Sequence, residues 1–309
     1  MTNPPTALQS SLPPNALRGS FPPLVTPFVN GEVDVDAYQS LAAHVIDGGS
    51  HGIVVNGTTA EPTTLSITER NAMVEAAVSV AAGRVPVVAA TGGQSLRETL
   101  ELSEGAEERG ADALMIVTPY FIKPPVRGMV EYYVELAGRT ELPVLIYHIP
   151  GRAGVSLPPV AIAEIAQRAP NLIGVKHAST DLAFVTETLA LCGKDFRIFV
   201  GLEELSFPMM AIGAAGLMNA AGNLLPGKIS ALASAVLVGD MSEARRLHYE
   251  LFEINQAIFW DTNPIPMKYM MRRLGILSAN EHRLPMVSAS PDLQKRLDAL
   301  LERLGLVAA

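Results

Sequence analysis

Eight short runs rich in Val, Ile, Leu and Ala recur along the chain, and segments with helical spacing separate them. The runs are SFPPLVTPF (20–28), GIVVNG (52–57), VPVVAATG (85–92), ALMIVTP (113–119), PVLIYHIP (143–150), IGVKHA (173–178), RIFVGLE (197–203) and GLMNAAG (216–222). Near-continuous apolar runs are what parallel strands need when both sheet faces are covered, whereas a half-solvated strand would alternate. The intervening segments supply the cover. In DVDAYQSLAAHVIDGG (34–49), Tyr38, Leu41, Ala42, Val45 and Ile46 share one helical face, and Gly48 and Gly49 provide a stop. SLRETLELSEGAEERG (95–110) and PPVAIAEIAQRAP (158–170) repeat the pattern. Eight such units without a composition break predict an α/β protein built as a closed (β/α)8 (TIM) barrel. An open doubly wound sheet would carry a glycine-rich phosphate turn after its first strand, and VTPFVNGEVD has none.

The strand signal ends near residue 230. The predicted organisation is a barrel over 18–230, a small helical domain over 231–309, and a Pro-rich arm over 1–17 that is disordered or loosely attached. In the tail, TNPIPMKYMMRRLG places Asn263 to cap a helix and Pro264 at its first position, where a missing N–H costs little.

Composition narrows the partners. A net charge of -8 with no basic run argues against nucleic acid. The single cysteine, Cys192, leaves no intramolecular disulfide framework and no cysteine-based zinc site, which fits a reducing, cytoplasmic compartment. The opening MTNPPTALQSSLPPNAL lacks a charged start and a long apolar run, so no signal peptide is expected. The most apolar later stretch, 208–238, is broken by Asn219, Asn223, Pro226 and Lys228, and no membrane span is expected.

Chemistry in such barrels sits at the C-terminal ends of the strands. There the chain places Thr58 and Thr59 in a Gly-led turn, the TPYF stretch, Tyr147 and Arg152 in YHIPGRAG, and Lys176 in IGVK. Lysine rarely ends a core strand, because its ammonium prefers water. It can be structural, with its stem packed and its head in solvent or paired with a carboxylate. In a partly dry pocket the neutral amine is favoured, and such an amine attacks carbonyls to form a Schiff base. Tyr147 is either packed or a proton shuttle for that imine. Thr58 and Thr59 either make a turn or form a nest of donors for a small carboxylate. Arg152 either pairs with a second carboxylate or sits exposed.

Taken together, GTT-E after strand two, TPY after strand four, YHIPGRAG at strand five, IGVK at strand six and NPIPMK in the tail resemble the dihydrodipicolinate synthase / N-acetylneuraminate lyase family. The resemblance runs from about Gly19 to the C-terminus. It implies a barrel with a C-terminal helical domain, usually assembled as a homotetramer of two tight dimers, or as a dimer. Lys176 would form the Schiff base with pyruvate or another 2-oxo acid, and Tyr147 would relay protons. Thr58 and Thr59 would hold the carboxylate, with Thr58 linked to Tyr147. Arg152 would meet the second substrate, an aldehyde, and Gly57 and Met218 complete the expected substrate-binding set. No metal or organic cofactor is implied, since the imine on Lys176 is itself the electron sink.

The departures are specific. The family's synthases read TPYY, and the second tyrosine crosses to the neighbouring subunit; here that position is Phe121, and Tyr120 precedes it. Ala60 stands for a glycine, His148 replaces the usual Asn, and His177 follows the lysine. Both histidines adjoin inward-facing residues, so alternation turns them away from the barrel axis into a second layer, although either could supply acid–base function. Tyr120, Phe121, His148 and His177 therefore form a set of possible relay or second-layer residues. The leading expectation is a synthase condensing pyruvate with an aldehyde, which is aspartate semialdehyde in the family's synthases. Phe121 keeps open a 2-oxo acid aldolase or a 2-keto-3-deoxy sugar acid aldolase or dehydratase. A barrel that binds a 2-oxo acid without turnover is the third reading.

Overall fold

The computed structural model describes residues 17–307. Eight parallel strands form one sheet: β1 (Gly19–Ser20), β2 (Ile53–Val55), β3 (Val87–Ala90), β4 (Ala113–Val117), β5 (Val144–His148), β6 (Leu172–His177), β7 (Arg197–Val200) and β8 (Gly216–Leu217). Each strand pairs with its sequence neighbour, and β8 returns to pair with β1. The remaining seam, between β1 and β2, is closed by a bridge from Pro23 to Val54. The amide of Val54 donates to Pro22 O and that of Leu24 donates to Val54 O, both at 3.0 Å.

The first strand is shorter than its apolar run. Pro22 and Pro23 have no N–H to give a ladder, so the regular strand stops at Ser20; the Phe21 amide still donates to Leu217 O at 2.9 Å, and past it the pairing runs through the Pro22 carbonyl and the Leu24 amide. At the end of the same run, Phe28–Val29 turns back on Glu32–Val33 as a small antiparallel hairpin. The β8–β1 closure needs glycine: a Cβ on Gly216 would lie 2.1 Å from Gly19 O.

The helices follow the sequence closely. α1 (Val35–Asp47) buries Tyr38, Leu41, Ala42, Val45 and Ile46, and Asp34 accepts from the Ala37 amide to cap it. α2 (Ile67–Ala81), α3 (Leu96–Glu108), α4 (Val126–Ala137), α5 (Pro159–Arg168), α6 (Leu182–Cys192) and α7 (Ser206–Ala211) continue the ring. α8 (Pro226–Leu237) supplies the eighth helix of the strand–helix series. The tail is α9 (Met241–Glu250), α10 (Phe252–Ala257), α11 (Ile265–Arg273) and α12 (Pro291–Arg303). Of the arm expected over 1–17, residues 1–16 lie outside the described residues, and Leu17 is buried against the barrel interior.

Strand alternation splits the core in two. Phe21, Val54, Val88, Met115, Leu145, Phe199 and Met218 fill the barrel, with Phe21 and Phe199 edge to face at 5.2 Å. Val144, Ile146 and Val175 face outward into the layer beneath the helices. Among the described residues no helix is long and apolar enough to cross a membrane.

Candidate active site

Parallel register places Tyr147 on β5 directly opposite Lys176 on β6. Leu145, two residues before Tyr147, belongs to the barrel interior, and the period of two carries Tyr147 inward as well. Lys176 is 4% exposed, and its Nζ lies 4.3 Å from the centroid of the Tyr147 ring. The aromatic face offers electrostatic compensation to a positive head. Among the described residues no carboxylate comes within 4.0 Å of that nitrogen.

The Tyr147 hydroxyl is 3.3 Å from Thr58 Oγ1, a contact in which either oxygen can donate. Thr58 opens a tight turn, Thr58–Ala60, set by Gly57 accepting from the Ala60 amide at 2.8 Å. Thr59 is buried, and its Oγ1 accepts from Asn263 Nδ2 at 3.0 Å. Asn263 was expected to cap the tail helix. Its side chain goes instead to the site, and α11 begins at Ile265 with no side-chain cap.

Two residues beyond Thr59, Glu61 is buried in the left-handed region at φ +55° and fixes the turn to the tail. Its Oε1 accepts from Lys268 Nζ at 2.6 Å and its Oε2 from His282 Nδ1 at 2.9 Å. Lys268 also donates to Glu281 O at 2.8 Å and lies 4.4 Å over the Phe28 ring. Burial pushes the Lys268 amine below its ordinary range, and the charge of Glu61 opposes that shift. The helical tail thus forms one wall of the site.

Two cavities meet here, one of about 520 Å3 and one of about 240 Å3, and Thr58, Tyr147, Ile149, Arg152 and Asn263 line both. The smaller holds Lys176, Thr59 and Met218. The larger is walled by Gly57, Tyr120, Arg70 and Glu98. Arg152 stands exposed on the single turn Pro150–Ala153 at the shared mouth. Burial, reinforced by Glu98, raises the Tyr120 phenol.

The other residues of the expected set lie elsewhere. Phe121 was grouped with possible relay or second-layer residues, but it lines neither cavity and is 83% exposed, at φ +73°. A left-handed backbone at this position turns the side chain out of the strand-end layer. His148 and His177 are fully buried and line neither cavity. They stack on Phe184 of α6, with centroids at 4.9 and 3.9 Å.

Their hydrogen bonds fix one neutral arrangement. The Leu157 amide donates to His148 Nε2, so the His148 proton sits on Nδ1 and is given to His177 Nδ1 at 3.1 Å. His177 then donates from Nε2 to Asp181 O at 3.1 Å. Burial, with the neighbouring imidazole, lowers His148 to about 4, and burial lowers His177 as well.

One residue of the smaller cavity lay unremarked in the sequence. Glu203, at the end of RIFVGLE, is 2% exposed, and its Oε1 accepts from the Ala220 amide at 2.7 Å while Oε2 is buried with no partner. Burial raises its carboxyl to about 7, against the pull of the backbone donors and of Lys176. The strand-end rule that drew attention to Lys176 applies equally to the end of β7. Among the described residues no group of three or more His, Cys, Asp or Glu side chains could hold a metal ion.

The model of the dihydrodipicolinate synthetase family matches residues 16–304. The chain belongs to that family. It is 44% identical over 286 residues to the 4-hydroxy-tetrahydrodipicolinate synthase of Thermus thermophilus, covering 92% of this chain and 95% of the relative. It is 39% identical over 284 residues to the synthase of the same name from Nitratidesulfovibrio vulgaris, covering 92% and 97%. The crystal structure of dihydrodipicolinate synthase from Aquifex aeolicus superimposes with a TM-score of 0.92 at 36% identity, covering 94% of this chain and 99% of that one. As a dihydrodipicolinate synthetase family member the chain is a lyase or synthase of the class I aldolase type, carried on the (β/α)8 barrel described above.

Proposed function

We propose that the chain condenses pyruvate with aspartate semialdehyde through an imine on Lys176. The observation that carries this reading is the buried Lys176 amine over the Tyr147 ring, with the Tyr147 hydroxyl in contact with Thr58. Lys176 attacks the keto carbon of pyruvate, and loss of water gives the protonated imine. The imine draws electron density from the adjacent methyl group, which yields a proton and leaves an enamine. Tyr147 carries that proton, with Thr58 as its hydrogen-bond partner. The enamine carbon then attacks the aldehyde. Thr58 and Thr59, at the head of their turn, hold the pyruvate carboxylate, and Gly57 and Met218 shape the walls around it. Arg152, exposed at the mouth, meets the carboxylate of the incoming aldehyde. The imine serves as the electron sink, so the scheme calls on no cofactor.

Phe121 had pointed to an aldolase or dehydratase of sugar-derived 2-oxo acids. Two relatives of 44% and 39% identity carry the synthase name over nearly their whole length, which favours the synthase. Phe121 and Ile122, 83% and 63% exposed on adjacent positions, suit burial against a second copy, as expected of a tetramer built from dimers. A cytoplasmic setting fits the single cysteine.

The deciding experiment is borohydride trapping with pyruvate, followed by mass spectrometry of the peptide containing Lys176. An adduct with the mass of reduced pyruvate on Lys176 supports the imine. Its absence from folded protein removes the reading. Rescue of a lysine-requiring strain would assign aspartate semialdehyde as the partner, and failure with good expression would return the sugar-acid aldolases.

A further inference from the structure

Lys176 must lose a proton before it can attack a carbonyl, and none of the residues considered so far accepts it. The smaller cavity contains one unused acceptor. Glu203 lines the same space as Lys176, Tyr147, Arg152 and Met218. Its Oε1 is occupied by the Ala220 amide, while Oε2 is buried and makes no hydrogen bond. A buried carboxylate oxygen without a partner costs stability, and such groups persist where function uses them.

The local backbone aims this carboxylate. β7 ends at Val200, and Glu203 opens the short turn Glu203–Leu205. Gly201 lies between them, and a Cβ there would stand 3.1 Å from Lys176 Cε, so the missing side chain leaves the lysine stem its room. The turn is pinned from behind, because Ser206 Oγ donates to Glu203 O at 2.8 Å and accepts from Asn219 Nδ2 at 2.5 Å. Direct transfer would call for the four-carbon stem of Lys176 to swing its amine across the shared cavity, from the Tyr147 ring toward Glu203.

We propose that Glu203 is the base that discharges the Lys176 ammonium and the acid that returns the proton when water leaves. The inference rests on the imine chemistry proposed above. Glu203 Oε2 takes one proton from the ammonium, leaving a neutral amine and a carboxylic acid. The nitrogen lone pair forms the C–N bond to the keto carbon while the C=O π pair moves to oxygen. A second nitrogen proton passes to that oxygen and gives the carbinolamine. Glu203 then returns its proton to the carbinolamine hydroxyl, the C–O bond breaks, and water departs as the nitrogen pair closes the C=N bond. The products are the protonated imine, water and the ionised carboxylate, with the same charge as at the start.

Burial sets Glu203 at about 7, so it can both accept and return a proton near neutrality. The groups that face it are Lys176, Tyr147 and Arg152 across the cavity, with the Ala220 and Ala221 amides beneath. Of these, Lys176 is the one whose charge pulls against burial.

The test is the single-turnover rate of pyruvate adduct formation on Lys176, trapped with borohydride in the full-length protein from about pH 5 to about pH 9. Wild type is expected to show an acid limb near neutrality. Glu203→Gln keeps the Ala220 hydrogen bond through its amide oxygen but cannot take a proton. It is expected to slow adduct formation about a hundredfold and to lose the limb. Glu203→Asp should restore part of both. A Glu203→Gln rate and profile equal to wild type would overturn the proposal while leaving the imine intact. A wild type that forms no adduct on Lys176 would overturn both. Should Glu203→Gln not fold, the wild type decides with Glu203→Asp: a limb displaced in the aspartate variant supports the role, and a flat wild-type profile ends it.

Discussion

Lys268 Nζ stands 2.6 Å from Glu61 Oε1 across 207 positions of sequence, with both side chains only 1% exposed. The pair joins the turn that carries Thr58 and Thr59 to the helical tail, and His282 takes the second oxygen of Glu61. The tail therefore helps hold the turn that lines the candidate site.

Breaking that pair should be costly in a particular way. Lys268→Met removes the cation and leaves the buried Glu61 carboxyl without that partner, and the expected loss is about 3–5 kcal/mol. Urea unfolding should show a lower midpoint with an unchanged slope. Turnover should fall as well, since Thr59 and its partner Asn263 are held by the same wall. A stability equal to wild type would mean that the pair carries no net weight.

Tyr147→Phe keeps the ring beneath Lys176 and deletes only the hydroxyl that meets Thr58. The expected drop in kcat is about 10²–10⁴, with the melting temperature little changed. Thr58→Val should reduce kcat through the same contact, so the double variant should lose little more than Tyr147→Phe alone. Fully additive losses would separate the two residues.

The buried histidine pair predicts acid sensitivity. His148 is held at about 4 in the fold against about 6.5 in the unfolded chain, so unfolded molecules take up protons first. The stability tied to the neutral ring is complete above pH 6.5 and is lost as pH falls toward 4, on the order of 3 kcal/mol. Denaturant titrations at neutral and acid pH check this. In His148→Asn the slope over that window should be shallower, whatever the stability at neutrality.

Glu203 has the opposite sign. Its folded value, about 7, lies above the 4.5 of a free glutamate, so the protonated carboxyl contributes most below that lower value. The contribution is lost as pH rises through the folded value, again on the order of 3 kcal/mol. Glu203→Gln should therefore exceed wild type in thermal stability at alkaline pH, with the difference vanishing in acid. A variant that is more stable and less active would fit a site that trades stability for function.

The sequence by itself determined the barrel and which side chains turn inward at its strand ends, because both are written in local periods. Continuous apolar runs and one-sided helices leave few other ways to bury both faces of a sheet. A period of two was enough to send Tyr147 and Lys176 inward and His148 and His177 outward. Local patterns failed where one residue had to choose between partners. Asn263 has the type and place of a helix cap, yet its amide goes to Thr59. Pro22 and Pro23 sit in an apolar run but cannot donate to a ladder. Glu203 and Lys268 read as ordinary charges until folding removes their water. Only the tertiary structure decides which buried charge meets a partner, as Lys268 does, and which, like one oxygen of Glu203, is left without one. Periodicity records which side chains go inside, whereas the energy of a buried polar group depends on contacts hundreds of residues away.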